Sequence, residues 1–158
     1  MSNDFPLKFS WGLFCHTAIT DKDTGQVSII NIIPSLKIEQ IKDFNLDSNN
    51  PNILLSLGKM FVVGLFERLN NLGSEINESL DIELLQVGLP TVVVPAKISI
   101  KKTEYSAFIN LNCEDLILNI SPLQDIADYK FEVIYKNKNQ ELGRVILPVE
   151  VIFKSIEE

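Results

Sequence analysis

The sequence is poor in the residues that most enzymes use for chemistry. It has one histidine, His16, and two cysteines, Cys15 and Cys113. A zinc site of cysteine and histidine needs about four ligands, and a serine–histidine–aspartate triad would depend on His16 alone. Cys15 and His16 are neighbours on a predicted strand, so their side chains point to opposite faces and cannot form a dyad. We therefore expect no enzyme, and no catalytic, cofactor-binding or metal-ligating residue.

Long apolar runs and positive charge are also scarce. The apolar stretch from Met60 to Phe66 is far shorter than the roughly 20 residues of a membrane-spanning helix, and the segment from Met1 to Pro6 lacks the basic leader of a secretory signal. The net charge is −7, which repels a phosphate backbone, and the nearest basic cluster is only Lys97, Lys101 and Lys102. These features predict a cytoplasmic protein with reduced cysteines, no membrane span and no nucleic-acid partner.

What the chain does have is a two-residue hydrophobic period, which indicates half-buried strands. It is clearest from Asp128 to Lys154, where two alternating segments flank the polar turn Lys136 to Gln140. A strand is also predicted from Phe9 to Ile19, followed by a turn from Thr20 to Gly25. The next strand, from Gln26 to Ile33, is apolar on both faces, which predicts that both faces are covered for part of its length.

The remaining strands differ in how much of their surface the pattern predicts to be buried. Lys59 to Leu69 is apolar on both faces and is predicted to be central, whereas Ser79 to Val87 has one wet face. Thr91 to Ile100 is interrupted by Pro95, which favours an edge. Glu39 to Asn52 is irregular and is predicted to be a long connection that can hold a short helical turn. Shorter apolar series occur at 105–111 and 116–120, before a predicted loop from Ser121 to Ala127.

These patterns predict an all-β fold, namely an antiparallel immunoglobulin-like β-sandwich of about seven to nine strands that forms one domain over residues 1–158. A closed barrel is the alternative. The immunoglobulin-like version is favoured by Tyr129, which stands where that fold places a tyrosine that fixes a corner of the backbone. The competing interpretation of Tyr129 is an ordinary core aromatic.

Two acidic clusters are candidates for chemistry. The segment Asp21-Lys22-Asp23-Thr24-Gly25 resembles the Asp-x-Asp loop of haloacid-dehalogenase-like hydrolases, but Gly25 stands where that family has Thr or Val, and a strand follows at once. A helix-loop-helix calcium loop would place its glycine one position later. The segment is therefore predicted to be a plain turn, with weak cation binding by Asp21 and Asp23 left open. Glu75, Glu78, Asp81 and Glu83 are predicted to form a solvated acidic edge.

The strand motifs together resemble a family of small bacterial and phage-associated β-sandwich proteins known as a domain of unknown function. The resemblance is carried by Leu13-Phe14-Cys15-His16, by the turn from Asp21 to Gly25, by the strand from Val27 to Ile32 and by the closing strand from Asp128 to Val133. His16 replaces an acidic residue of the family pattern, and Ala127 replaces a glycine. The resemblance implies a sandwich fold and brings no activity and no functional residue.

Because chemistry-bearing residues are scarce, we expect the function to lie in the surface. The leading hypothesis is a non-catalytic cytoplasmic module that binds a protein partner or assembles with itself, most simply by pairing at a sheet edge. The segments that motivate it are Thr91 to Ile100 and the connection from Glu39 to Asn52. The alternative is a β-sandwich that binds a small molecule or a carbohydrate in loops at one end.

Overall fold

The computed structural model describes residues 4–42, 53–120 and 126–155, and these ranges form eleven strands and no helix. The strands are β1 (Leu7–Thr20), β2 (Val27–Ile33), β3 (Leu36–Lys42), β4 (Ile53–Ser56), β5 (Met60–Arg68), β6 (Ile76–Leu85), β7 (Val92–Ile100), β8 (Ser106–Cys113), β9 (Ile117–Ile120), β10 (Ile126–Asn137) and β11 (Gln140–Ser155). The all-β prediction is confirmed, and the expected number of seven to nine strands is too low.

The strands form two large sheets and a small ribbon. The first sheet has the order β2-β1-β5-β8, the second has the order β3-β11-β10-β6-β7, and β4 pairs with β9. β3 runs parallel to β11, with Leu36 opposite Val149, whereas the other pairs are antiparallel. The prediction of an entirely antiparallel fold is therefore wrong at β3.

One hydrophobic core lies between the two large sheets. Phe14, Val62 and Phe66 enter it from the first sheet, and Phe131 and Leu147 enter it from the second; all five are at most 1% exposed. The ribbon adds Leu118 and Ile120 to the same cluster. Because alternate residues of each strand face this core, the two-residue period of the sequence is the direct cause of the layered arrangement.

The structure confirms some of the predicted strand positions and corrects others. β5 is central, between β1 and β8, and β7 is an edge strand, as expected. β7 continues through Pro95, opposite Asp81, so the proline does not interrupt it. Residues 39–42 belong to β3 rather than to a connection, and the rest of that predicted segment, 43–52, lies outside the described residues.

The start of β10 corrects another boundary. Ile126 and Ala127 pair with β11 and so belong to a strand rather than to the predicted loop, whose residues 121–125 lie outside the described ranges. Tyr129 lies opposite Val149 and packs partly buried against the core. The core interpretation of Tyr129 therefore accounts for its packing, and the corner remains a prediction.

One end of the fold is held by a buried arginine. Arg68 is 7% exposed, and its guanidinium donates hydrogen bonds to the backbone carbonyl oxygens of Glu104, Asn71, Ser74 and Lys101 at 2.8 to 3.0 Å. These carbonyls belong to the turns after β5 and after β7. A single side chain therefore joins a turn that leaves the first sheet to a turn that leaves the second.

The described ranges contain no helix that is long and apolar enough to cross a membrane.

Candidate interaction surface

The distal part of the β1–β2 hairpin bends away from the first sheet. β1 pairs with β5 from Leu7 only as far as Cys15, whereas its pairing with β2 continues to Thr20. At the point where β1 leaves β5, His16 and Asn31 would be cross-strand partners in the hairpin, but they do not pair. Asn31 has a φ of 56°. We call residues 16–31 the arm, since they form a hairpin that continues beyond the sheet.

The arm folds back over the outward face of the first sheet. Leu13, Val63 and Asn110 form one cross-strand row of that sheet. Ala18 follows Leu13 by five residues, so in a straight strand it would lie about 16 Å further on. Instead, Asn110 Nδ2 donates a hydrogen bond to the carbonyl oxygen of Ala18 at 3.4 Å. This contact requires the arm to cross the sheet toward β8.

A second, smaller hydrophobic cluster lies beneath the arm. Its buried members are Cys15, Ala18 and Val63. Partly buried residues pack against them from both sides: Val27 and Ile29 from the arm, and Leu13, Phe61 and Phe108 from the sheet. The first sheet is therefore apolar on both faces, and the arm covers part of its outward face.

The opposite side of the arm is apolar and exposed. Ile30 lies opposite Thr17, and Ile19 lies opposite Ser28 in the next row, so these two isoleucines are diagonal neighbours on one face. Ile32 lies opposite Cys15, before the bend, and so belongs to the outward face of the first sheet rather than to this side of the arm. The exposed fractions of Ile19, Ile30 and Ile32 are 55%, 45% and 59%. We call Ile19 and Ile30 the isoleucine face.

The tip of the arm is a self-contained turn. Asp21 Oδ1 accepts hydrogen bonds from the backbone N–H groups of Asp23 and Thr24 at 2.8 and 3.0 Å, and these bonds lower the pKa of the Asp21 carboxyl. Gly25 has a φ of 70° and donates its N–H to the carbonyl of Asp21. The predicted turn at Thr20 to Gly25 is thus confirmed, and Asp21 acts in it as the residue that closes the turn.

The outward face of the second sheet has the opposite character. It carries cross-strand ion pairs that join Lys37 to Glu150, Lys154 to Glu39, Arg144 to Glu132 and Lys136 to Glu83 at 2.7 to 3.3 Å. Such alternation of charge on one face and apolar residues on the other is normal for a sheet with one solvated side. The two outward faces of the molecule therefore differ: one is charged and wet, and the other is apolar and partly covered by the arm.

The other predicted sites are dispersed. Cys15 is buried and His16 is exposed on the same strand, so they do not converge. Both cysteines are free and buried, and burial raises the pKa of Cys15 and raises that of Cys113 to about 11. Within the described ranges, no three His, Cys, Asp or Glu side chains gather in a way that could hold a metal ion.

The predicted acidic edge and basic cluster are also divided among separate contacts. Glu83 pairs with Lys136 at 2.8 Å, and Glu75 accepts a hydrogen bond from Asn77 Nδ2 at 3.1 Å. Lys101 lies 4.0 Å from Glu104 on the turn before β8. These three charged groups are engaged locally, whereas Glu78, Asp81 and Lys97 line one open groove.

The edge strands differ in how well they are protected against pairing. β7 has Val92 and Val93 exposed, but Pro95 offers no N–H to a partner strand and Lys97 adds a charge; both are common means of protecting an edge. β3 carries Lys37 and Glu39, which are already in ion pairs. β2, an edge of the first sheet, has the sequence VSIINII and contains neither charge nor proline.

An open groove lies at the end of the second sheet where the β10–β11 hairpin turns back. It is lined by Asp4 and Phe5, by residues 77–81 of β6, by 95–97 of β7 and by 137–140 of the hairpin turn. Most of these side chains are polar. Its lining comes mainly from β6 and β7, together with the β10–β11 turn and the segment before β1, so it differs from the loop-end site of the small-molecule hypothesis.

No protein-family model, no curated protein and no solved structure matches this chain. The resemblance to the bacterial and phage β-sandwich family therefore stays a prediction.

The bend of the arm is the feature that sequence reasoning missed. The signal for it was present in β2, where apolar residues occupy both faces. We predicted that both faces would be covered for part of the length of β2; Val27 and Ile29 pack against the smaller cluster and Ile33 against the main core, whereas Ile30 stays exposed. Asn31, a residue type that tolerates positive φ, marks the bend.

Proposed function

We propose that this chain is a non-catalytic cytoplasmic protein-interaction or self-assembly module of immunoglobulin-like sandwich type, and that its docking surface is the isoleucine face of the arm. The observation that carries the proposal is that apolar residues of the β1–β2 hairpin remain exposed. β2 is apolar on both sides, yet its Ile30 and the neighbouring Ile19 are about half exposed. A partner that covers them would complete the burial that the pattern of the sequence predicts.

The chemistry of the surface selects the kind of partner. Ile19 and Ile30 offer no charge, and the residues opposite them, Ser28 and Thr17, add only uncharged hydroxyls, so the complementary surface is uncharged and largely apolar. A nucleic acid does not fit, since its binding depends on basic groups. A protein surface with exposed aliphatic or aromatic side chains fits, and burial of apolar area supplies the free energy of association.

Location on the β2 edge adds a second source of affinity. A partner strand laid beside β2 can pair with backbone groups that have no neighbouring strand on that side in the described fold, which is the usual mode of strand addition. Edge pairing was predicted at β7, and β7 is an edge. Pro95 and Lys97 nevertheless make β7 a poorer acceptor than the uncharged β2.

The test compares two lysine substitutions at positions of equal exposure. Ile30 and Ile146 are both 45% exposed, but Ile146 lies on the charged outward face of the second sheet. We expect Ile30→Lys to abolish partner capture from the native host and any self-association seen by light scattering, and Ile146→Lys to leave both unchanged. Equal effects of the two variants, or a monodisperse wild-type monomer that captures no partner, would refute the proposal.

A second candidate function rests on the groove at the end of the second sheet. Its polar lining, which includes Asn77, Ser79 and Asn139, could hydrogen-bond a sugar or another small polar molecule. Thermal denaturation in the presence of sugars, nucleotides and metabolites tests this, because a ligand of the folded state raises the melting temperature. A shift that survives Ile30→Lys and is lost in Asn77→Ala would favour the groove.

A further inference from the structure

The arm is held to the outward face of the first sheet by a small apolar cluster, and its polar contact there is imperfect. Its one side-chain hydrogen bond to β8, from Asn110 Nδ2 to the Ala18 carbonyl, is long at 3.4 Å. Within the described residues, Asn110 Oδ1 is buried without a hydrogen-bond partner. A buried acceptor that has lost water and gained no donor opposes closure of the arm. A short two-stranded hairpin is only marginally stable by itself.

The hinge of the arm is also well defined. Pairing between β1 and β2 is present on both sides of His16 and Asn31 and is absent between them. Asn31 adopts a φ of 56°, in the left-handed region that disfavours an extended strand. If residue 31 returned to an extended conformation, the two strands would continue straight and the arm would leave the outward face of its own sheet.

The surface of the first sheet beneath the arm is complementary to apolar side chains of the arm. Ala18, Val27 and Ile29 pack there against Leu13, Phe61, Val63 and Phe108. The same residues on the arm of a second copy are an equally good fit, because every contact made within one chain can be made between two. Exchange of an identical element in this way is a low-cost route to a dimer.

We propose that the arm is exchanged between two copies of this chain, so that residues 16–31 of one copy cover the outward face of the first sheet of the other. The inference rests on the proposed function and specifies its partner as a second copy. Each copy carries a net charge of −7, and the contact avoids the charged face of the second sheet.

The hinge supplies variants that act in opposite directions. Asn31→Gly removes the steric penalty of positive φ and favours the bent, closed arm, whereas Asn31→Val makes the bend unfavourable. A left-handed conformation costs a residue with a Cβ about 1–2 kcal/mol, so we expect the dimer association constant to change about tenfold or more, upward for Asn31→Val and downward for Asn31→Gly.

Lys138 is the matched control. It has nearly the same φ, 53°, but lies in the turn between β10 and β11, away from the arm. We expect Lys138→Val to lower the stability and Lys138→Gly to raise it, with no change in the association constant measured by sedimentation velocity. Unchanged association in both Asn31 variants, or the same shift in the Lys138 variants, would overturn the inference.

A cross-linking experiment detects the exchange directly. Ala18→Cys is introduced in one copy and Asn110→Cys in another, the two proteins are mixed, and a short bismaleimide is added. The native cysteines are buried, and the wild-type protein treated in the same way measures their reactivity. We expect a covalent heterodimer above that background; its absence at concentrations where sedimentation shows dimers would refute exchange.

The two proposals fail in different ways. Suppose that Ile30→Lys abolishes association, that the Asn31 variants leave the association constant unchanged and that no cross-linked heterodimer forms. The isoleucine face is then a docking surface, and the arm is not exchanged. If Ile30→Lys has no effect on association, the proposed docking surface itself is wrong. The measurements therefore distinguish a wrong partner, the second copy, from a wrong docking surface, the isoleucine face.

Discussion

Gly64 of β5 lies directly against the phenol of Tyr135 of β10, across the core from it. A Cβ atom on residue 64 would lie 2.7 Å from Tyr135 Oη and 2.8 Å from Cζ. The ring of Tyr135 stacks on Phe9 at a centroid distance of 5.3 Å and meets the edge of Phe66 at 5.3 Å. The missing side chain at position 64 thus makes room for the aromatic centre of the core.

We expect Gly64→Ala to destabilise the protein by about 1–3 kcal/mol, since overpacking of a close-packed core forces neighbouring groups to shift. Urea denaturation measures the change in the free energy of unfolding. The double variant Gly64→Ala with Tyr135→Phe removes the nearest atom, Oη, and should recover part of the loss. Additive effects of the two substitutions would contradict a direct clash.

Removal of the Tyr135 hydroxyl, unlike the substitution of Gly64, is predicted to stabilise the protein. Tyr135 is fully buried, and its Oη has no hydrogen-bond partner among the described residues. An unsatisfied buried hydroxyl costs about 1–3 kcal/mol, so Tyr135→Phe should stabilise the protein by about 1 kcal/mol. Tyr105, which is 68% exposed, provides the control, and Tyr105→Phe should leave the melting temperature unchanged. A loss of stability in Tyr135→Phe would show that the hydroxyl is satisfied.

The strands were predictable because alternation of apolar residues is a local property. Tyr135 and Phe131 fall on the core side of β10, as their two-residue spacing requires, and both faces of β5 are apolar because it lies in the middle of its sheet. β3 was missed because the alternation of Leu36 and Ile38 with Lys37 and Glu39 is short and breaks at Gln40. Its inclusion in the sheet comes from parallel pairing with β11, a long-range contact without a local signal.

The candidate site was less predictable than the fold. The apolar character of both faces of β2 can be read from the sequence, and Asn31 is a residue type that tolerates positive φ, but neither feature specifies the direction in which the hairpin bends. The same holds for Arg68, whose hydrogen-bond acceptors are backbone carbonyls on two different turns. Carbonyl groups are present in every residue, so composition gives no indication of which ones will converge.

Arg68 should therefore be sensitive to a conservative substitution. Arg68→Lys keeps the charge but cannot reach four carbonyl oxygens in a fork-shaped arrangement. We expect a loss of about 2–4 kcal/mol, since buried carbonyl groups lose their donors. Arg144 is the matched control, because its ion pairs with Glu132 and Glu141 lie on a partly exposed face. Arg144→Lys should cost less than about 1 kcal/mol, and equal losses would contradict the role of Arg68.

The buried thiol of Cys113 makes the free energy of unfolding decrease at alkaline pH. Burial raises the pKa of Cys113 to about 11 from an ordinary value of 9.0, so the unfolded chain releases this proton at a lower pH than the folded chain. The contribution of the buried, protonated thiol to the free energy of unfolding is fully present below pH 9. It is lost as the pH rises toward 11, because ionisation of the thiol favours the unfolded state. The burial of Tyr135, whose pKa is also raised, acts in the same direction at higher pH.

We expect the free energy of unfolding to fall by up to about 2–3 kcal/mol between pH 9 and pH 11 through Cys113. Urea denaturation at a series of pH values measures the slope. Cys113→Ala loses some packing at every pH, but its curve should be flatter than that of the wild type over this interval. Cys15→Ala is the comparison, since burial also raises the pKa of Cys15, and the variant with the flatter curve has lost the thiol whose pKa burial raises more. A Cys113→Ala curve parallel to that of the wild type would show that this thiol does not control the alkaline loss.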